Sequence, residues 1–172
     1  NMEVVGLWQP SATAADVTAE LSAIDRAGAD IVLTALAGPV GIVVGRQMGE
    51  RGMKAIAFGF NAEAQKDGFW QATAGKGNYV SILDTYAEVE LTPKMIPFLK
   101  AFRARFGKSP GNNAGTYDAI MLLKEAIEKV DSLDADKLVS ALEQTTFVGA
   151  ASVREFTKVH DPVWGPGKAT GI

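Results

Sequence analysis

The only histidine of the 172-residue chain, His160, stands directly before Asp161 in a segment rich in proline and glycine. An imidazole beside a carboxylate is a pairing that general-base catalysis uses. A small α/β enzyme built on this pair would also need a nucleophile and a shaped pocket nearby. A lone surface histidine next to an acid is more often simply solvated. We therefore predict no catalytic residue and no enzymatic activity, and the small α/β enzyme is the rival hypothesis.

Two glycine-containing segments, 41–45 and 75–77, superficially resemble phosphate-binding loops. Neither has the glycine spacing of a P-loop or of a dinucleotide-binding motif after a strand, so nucleotide binding is weakly supported. The acids Asp134 and Asp136 fall at a predicted helix cap, where solvation explains them. The chain has no cysteine, which excludes disulfides and thiolate metal ligands. We predict no metal site and no cofactor.

Five residues at the ends of two predicted strands are better candidates for ligand binding. Ala37 and Gly38 follow the first strand, and Phe60, Asn61 and Glu63 end or follow the second. Each segment precedes a predicted helix, whose free N–H groups would attract a ligand carboxylate. Asn61 or Glu63 would bind polar or cationic groups. A simple N-cap role explains Asn61 equally well.

The first half of the chain alternates short apolar runs with segments of helical periodicity. Near-continuous apolar runs are typical of parallel strands covered on both faces. The alternation predicts a parallel sheet whose ligand edge lies at the carboxyl ends of its strands. The predicted strands are 2–8, 31–36, 54–60 and 79–83; the predicted helices are one capped by Thr13 and ended by Gly28, one from Gly38 and Pro39 to Gly52, and one at 62–72.

The second half has a different character from residue 85 onward. Residues 92–144 predict helices and turns without a strand, and a short strand follows at 152–156. The helix at 114–130 carries an apolar stripe at helical spacing. These helices need a sheet to cover, and this half of the chain does not supply one. The other predicted helices are 97–106 and one from an Asp134 cap to Gln144.

Composition narrows the class of protein further. Apolar residues make up 47% of the chain and aromatic residues only 8%, which favours an α/β architecture over an all-β sandwich. The net charge is -3 and no run of lysine and arginine tracks a phosphate backbone, so nucleic acid is excluded as a partner. The longest apolar stretch, 31–44, is interrupted by threonine, glycine and proline and is too short to span a membrane.

Several segments have an order and spacing that is specific in combination. They read DVTAEL at 16–21, AGADIV at 27–32, RQMGERG at 46–52, FRARFGKSP at 102–110 and TYDAI at 116–120. Together they resemble the extracellular ligand-binding family of branched-chain amino acid ABC transporters, the type I periplasmic binding proteins. The resemblance runs over essentially the whole chain.

The resemblance implies a particular division of the chain. Proteins of this family have two α/β lobes joined by three crossings. Residues 1–84 would be the parallel-sheet, Rossmann-like lobe 2, and residues 85–168 the mostly helical carboxy-terminal part of lobe 1. Residues 169–172 would begin the return crossing. The residues expected to act as a hinge are Asp84, Thr85 and Tyr86.

The resemblance also implies a function. The chain would be part of the solute-binding component of an ABC uptake transporter, which binds a small amino acid or organic acid between two lobes and presents it to a membrane permease. It would be periplasmic or extracellular, lipid-anchored or soluble. The amino-terminal half of such a protein is missing here, so we expect a cleaved or partial chain whose partner is that half. The alternative is a ligand-sensing domain of a signalling receptor.

Two residues depart from the pattern of amino-acid-binding members. Those members resemble one another in having an aromatic residue in the loop that matches Ala37 and Gly38, and an acid near Asn61. Here the first position is small and the second is neutral. An aliphatic or aromatic acid without an amino group therefore fits as well as an amino acid, although Glu63 could serve a ligand ammonium.

Overall fold

A computed structural model of the chain describes residues 2–84, 86–111, 113–165 and 168. The chain forms two compact units, Asn1–Leu83 and Asp84–Ile172. The division falls one residue before the boundary predicted from the sequence. Which lobe of a two-lobed protein each unit represents stays a prediction, and the predicted return crossing at 169–172 lies outside the described residues.

The first unit is built around a parallel sheet of three strands in the order β1-β2-β3. The register pairs Ile31 with Ile56 at one end of β1 and Leu36 with Asn61 at the other. The predicted α/β class with a parallel sheet is confirmed. Its elements are α1 (Thr18–Ala27), β1 (Ile31–Leu36), α2 (Val40–Glu50), β2 (Ile56–Asn61), α3 (Phe69–Ala72) and β3 (Ser81–Ile82).

The core of the first unit lies between the sheet and the two longer helices. Gly28 ends α1 in the left-handed conformation, with φ 68°, and its N–H donates to the carbonyl of Asp25 as predicted for a glycine C-cap. Helices α1 and α2 both contribute apolar side chains at helical spacing, which meet Ala57 of β2. The buried cluster is Val17, Leu21, Ile24, Val40, Val44, Met48 and Ala57.

The opposite face of the sheet is open, which corrects the prediction of strands covered on both faces. Leu33 of β1 is 75% exposed, and its register partner Phe58 is also exposed. Ile31 and Ile56 share this face and are exposed as well. The crossovers from β1 to β2 to β3 all step in the same direction, so their right-handed connections lie on one side of the sheet.

Two predictions for the start of the chain are wrong. Residues 2–8 form no strand and are largely exposed, with Leu7 at 92%, because no described strand pairs with them. Thr13 does not cap α1; its N–H instead donates to Ser11 Oγ. The helix begins after Val17, whose N–H donates to Gln47 Oε1 at 2.8 Å. A side chain of α2 therefore supplies the cap of α1.

Helix α2 packs closely against the segment that follows β2 through a row of glycines. Gly41, Gly45 and Gly49 repeat at every fourth position and so lie on one helix face. A Cβ atom on Gly45 would lie 2.8 Å from Phe69 Cζ, and one on Gly49 would overlap the backbone carbonyl of Lys76. The predicted helix at 62–72 is reduced to α3, because turns occupy residues 62–68.

In its described residues, the second unit consists of three helices and a short hairpin. Helix α4 starts two residues earlier than predicted and contains Pro97 in its first turn, where backbone N–H groups have no helical acceptor. Asp134 caps α6 as predicted, and its Oδ1 accepts from the N–H of Lys137 at 3.1 Å. The elements are α4 (Met95–Phe106), α5 (Asn113–Val130), α6 (Ala135–Glu143) and the antiparallel strands β4 (Phe147–Val148) and β5 (Val153–Arg154).

A buried acid organises the second unit. Asp118 of α5 is almost fully buried, and its two carboxylate oxygens accept the N–H groups of Ala150 and Ala151 at 2.5 and 2.7 Å. The apolar stripe predicted on α5, which is Ile120, Leu123, Ile127 and Val130, is not the buried face of the helix. Ile120 and Leu123 are exposed, and the buried residues are Ala114, Asp118, Leu122 and Ala126. Asp118 therefore fixes the loop between β4 and β5 to the helix.

We expect Gly49→Ala to lower the free energy of unfolding by about 1–3 kcal/mol, since the new methyl group must displace the backbone at Lys76. The matched control is Gly115→Ala in α5, where the nearest atom to a new Cβ is 3.9 Å away. That variant should be neutral or gain up to about 1 kcal/mol from helix propensity. Urea unfolding followed by circular dichroism measures both, and equal stability of Gly49→Ala and the parent chain would contradict the close packing.

Candidate functional site

The five predicted ligand residues lie together at the carboxyl edge of the sheet. Leu36 and Asn61 are register partners at the ends of β1 and β2. The N–H of Ala62 donates to the carbonyl of Leu36 at 3.0 Å, which continues the pairing into the two loops. Ala37 and Gly38 therefore stand beside the residues that follow β2. We call this surface, made of residues 37, 38, 60, 61 and 63, the carboxyl-edge site.

Asn61 is the structural centre of the carboxyl-edge site. The residue is only 1% exposed. Its Nδ2 donates to the carbonyl of Gly41 at 3.1 Å, and its Oδ1 accepts from the N–H groups of Glu63 and Ala64 at 3.1 and 3.3 Å. A side chain on Gly41 would overlap Asn61 Oδ1. These bonds support the cap interpretation of Asn61, and its direct contact with a ligand stays a prediction.

The expectation of free N–H groups at the start of α2 is wrong. The N–H of Val40 donates to the carbonyl of Ala12 at 3.1 Å. The next two amides, of Gly41 and Ile42, donate to the carbonyls of Gly38 and Pro39. The amide of Val40 is occupied because the segment that contains Ala12 folds over the loop after β1, and the other two bond within the first turn of the helix. A ligand carboxylate would have to compete with these backbone acceptors.

The remaining side chains make this edge apolar and close to neutral. Ala37 is exposed, and Phe60 is 43% exposed. The Glu63 side chain is only 14% exposed and its Oε1 lies 2.7 Å from Lys66 Nζ. Because Lys66 already neutralises the negative charge of Glu63, a ligand ammonium would have to displace Lys66.

The predicted hinge residues belong to the start of the second unit. Thr85 lies outside the described residues. The N–H of Tyr86 donates to Asp84 Oδ1 at 3.3 Å, and the Tyr86 ring packs in a cluster with Met95, Ala114 and Ala151. Within the described part of the chain the buried Tyr86 hydroxyl has no hydrogen-bond partner. Tyr86 is thus anchored in the core of its own unit, and a hinge role stays a prediction.

Burial raises the pKa of Tyr86 to about 12. The negative charge of Glu88 contributes to this rise in the pKa, and the positive charge of Arg103 opposes it. Burial and the charge of Glu88 have the larger effects, and both disfavour the phenolate in the folded state. The hydroxyl is therefore neutral at pH 7.

The residues considered for enzymatic chemistry contact other partners in the structure. His160 is exposed, and its Nε2 lies 2.7 Å from Glu143 Oε1. The N–H of Asp161 donates to Thr157 Oγ1. Residues 41–45 lie inside α2 and form no phosphate loop. Among the described residues, no group of three or more histidines or acids is arranged to hold a metal ion.

Comparison with known proteins gives one family and a set of solved relatives. Residues 1–163 match the family model described as periplasmic binding protein. A leucine binding protein from Thermotoga maritima is similar, with 23% identity and a TM-score of 0.72 over 84% of this chain and 42% of that one. No significant match is found among curated proteins.

Two further solved structures carry ligands. A solute binding protein of an ABC transporter from R. palustris, in complex with benzoate, has 18% identity and a TM-score of 0.70 over 85% of this chain and 41% of that one. The branched-chain amino acid transporter substrate binding protein LivJ from Streptococcus pneumoniae, in complex with isoleucine, has 20% identity and a TM-score of 0.69 over 87% and 43% of the two chains.

These findings confirm the resemblance to branched-chain amino acid binding proteins that the sequence predicted. The chain spans less than half the length of each of these solved structures. The family and these relatives are solute-binding proteins, which are generally not enzymes, and the family implies a periplasmic or extracellular location. In the described ranges, no helix has the length and apolar character needed to cross a membrane.

Asn61→Ala should lower the free energy of unfolding by about 1–3 kcal/mol, because it removes the side-chain hydrogen bonds to Gly41, Glu63 and Ala64 and leaves the amide of Glu63 without its acceptor. The matched control is Asn78→Ala at an exposed position, for which we expect less than about 0.5 kcal/mol. Urea midpoints measure both variants. An Asn61→Ala variant as stable as the control would show that the cap does not hold the edge together.

A titration of phenolate absorbance tests the burial of Tyr86. The folded pKa is above the unfolded value of about 10, so the neutral ring stabilises the fold below pH 10 and this contribution is lost as the pH rises toward 12. One of the three tyrosines should ionise only near pH 12, and Tyr86→Phe should remove that last step. Loss of an earlier step instead would contradict the assignment.

Proposed function

The chain belongs to the periplasmic binding protein family, and on this basis we propose that it is part of the solute-binding component of an ABC uptake transporter. The solute would be a small amino acid or organic acid bound at the carboxyl-edge site. The observation that carries the proposal is the pairing of the ends of β1 and β2, which brings the loops that contain Ala37, Gly38 and Glu63 to one edge of the sheet. Ligands of open α/β sheets bind outside the carboxyl ends of the strands.

The proposal requires more protein than this chain contains. The solved relatives are more than twice as long as the part that the chain covers. The rest of the ligand site would come from that additional length, the amino-terminal half expected from the sequence. A membrane permease would be the partner that receives the solute. Binding would involve no chemical step, and its free energy would favour whichever state of the protein contacts the solute best.

The solute class follows from what the carboxyl-edge site leaves accessible. Asn61 is buried in its cap, and the carboxylate of Glu63 is paired with Lys66. Neither is available to a ligand ammonium without loss of an existing bond. The exposed surfaces of Ala37 and Phe60 are apolar. These features favour an organic acid without an ammonium group, such as an aromatic carboxylate, over an α-amino acid.

The occupied amides of α2 also restrict where the carboxylate of the solute can bind. Since the N–H of Val40 already donates to Ala12, the solute carboxylate would find its donors outside this loop. This chain would therefore contact the apolar body of the solute, and the remainder of the protein would bind its carboxylate. The restriction agrees with the benzoate found in one solved relative, which is a property of that protein.

We expect benzoate to stabilise the chain more than leucine does. A ligand at a hundredfold its dissociation constant raises the free energy of unfolding by about 2.7 kcal/mol. Thermal unfolding with benzoate, isobutyrate, leucine and no ligand measures the difference. Stabilisation by leucine alone would support a binding protein but contradict the solute class. No stabilisation by any member of the panel, measured with the rest of the ligand site also present, would count against the function itself.

Two alanine-to-glutamate variants test the location of the solute site. Ala37→Glu places a carboxylate where the apolar body of the solute would lie and should weaken benzoate binding about tenfold or more, because that charge would have to be desolvated. Ala104→Glu, at an exposed position of α4 in the second unit, makes the same chemical change and should leave binding unchanged. Equal effects of the two variants would exclude the carboxyl edge as the site.

A further inference from the structure

A cavity of about 360 Å³ lies at the opposite end of the sheet from the carboxyl-edge site. Its wall includes Ala55 and Ala57 at the start of β2 and Val80 just before β3. Since a strand rises about 3.3 Å per residue, roughly 17 Å separate the two ends of β2. We call this space the amino-edge cavity. Its volume falls in the range that small-molecule pockets occupy.

The floor of the amino-edge cavity is apolar and continuous with the core. Met48 of α2 and Ala57 of β2 are buried members of the core cluster, and Met53 and Val80 pack against it. Methionine side chains adapt to the shape of an apolar ligand because they are unbranched and polarisable. The floor therefore suits an alkyl chain or another flexible apolar group.

The mouth of the amino-edge cavity carries two positive charges. Lys54 and Lys76 line it and are exposed, and no acidic side chain lines it. Within the described ranges neither lysine forms an ion pair, whereas Lys66, Lys124 and Lys168 each pair with a glutamate. Two unneutralised ammonium groups beside an apolar floor attract an anion that has an apolar body.

The rim beside Lys76 is held in a fixed conformation. Ala74 and Tyr79 have positive φ angles of 51° and 62°, which are uncommon for residues with a side chain. The N–H of Gly75 donates to the carbonyl of Trp70 at 2.9 Å, and the N–H of Gly77 donates to Thr73 Oγ1 at 3.0 Å. These hydrogen bonds stabilise the turn at residues 73–77. A rim fixed before binding loses less entropy when a ligand arrives.

From these features we propose that the amino-edge cavity is a second binding site, for a monocarboxylate with a short alkyl chain such as a medium-chain fatty acid. The alkyl chain of the ligand lies on Met48, Met53 and Val80, and its carboxylate lies between Lys54 and Lys76. The site is separate from the carboxyl-edge site, and the proposal does not depend on the transported solute.

Titration of the chain with octanoate, followed by amide chemical shifts, tests the proposal. Saturable shifts are expected at residues 48–57 and 76–80. The double variant Lys54→Glu with Lys76→Glu should weaken octanoate binding about tenfold or more. The matched control, Lys100→Glu with Lys129→Glu, changes the same net charge on exposed positions of α4 and α5 and should bind octanoate like the parent chain. Octan-1-ol should bind more weakly than octanoate because it has no charge for the lysines.

Two results would overturn the proposal. One is the absence of saturable shifts at residues 48–57 and 76–80. The other is an unchanged affinity in the Lys54→Glu, Lys76→Glu variant, or in its neutral counterpart Lys54→Met, Lys76→Met. The Ala37→Glu variant separates this site from the proposed solute site, because it should leave octanoate binding intact.

Discussion

The hydrogen bonds of one buried carboxamide hold the proposed solute site together. Asn61 ends β2, reaches the carbonyl of Gly41 in α2, and accepts the two amides that begin the next turn. The contact is possible only because position 41 has no side chain. An unmet buried polar group costs more than a typical hydrogen bond contributes, so each partner depends on the others. The relative position of the two ligand loops follows from this cluster.

In the second unit, a buried carboxylate has the same role as the carboxamide of Asn61. Asp118 is buried in α5 and accepts two amides of the loop between β4 and β5, while Thr92 donates to the carbonyl of Gly149 beside them. In surface ion pairs such as Lys124 with Glu128, both side chains are exposed, so the pair contributes little to stability by comparison. Buried polar side chains at loop junctions therefore set the geometry of both units.

The sequence predicted the elements well where local patterns decide them. The parallel sheet, the glycine that ends α1 and the Asp134 cap all follow from residues close together in the chain. The errors involve partners far apart in sequence. Gln47 caps α1 from thirty residues away, and the carbonyl of Ala12 occupies the amide of Val40. No periodicity or propensity reveals such partners. The open sheet face was missed for the same reason, since apolar runs show burial potential and not what covers them. The Glu63–Lys66 pair could have been predicted from its spacing of three residues. It changes the expected solute, because the carboxylate of Glu63 is not free for a ligand ammonium.

The central claim is that an acidic solute without an ammonium group is bound at the carboxyl edge of β1 and β2. A benzoate titration of the chain, mapped by amide chemical shifts up to about 10 mM to include weak binding, tests it most directly. The account predicts that the largest saturable shifts fall at residues 36–38 and 60–63. Shifts confined to other segments would contradict it, and so would an absence of shifts at that concentration once the rest of the ligand site is also present.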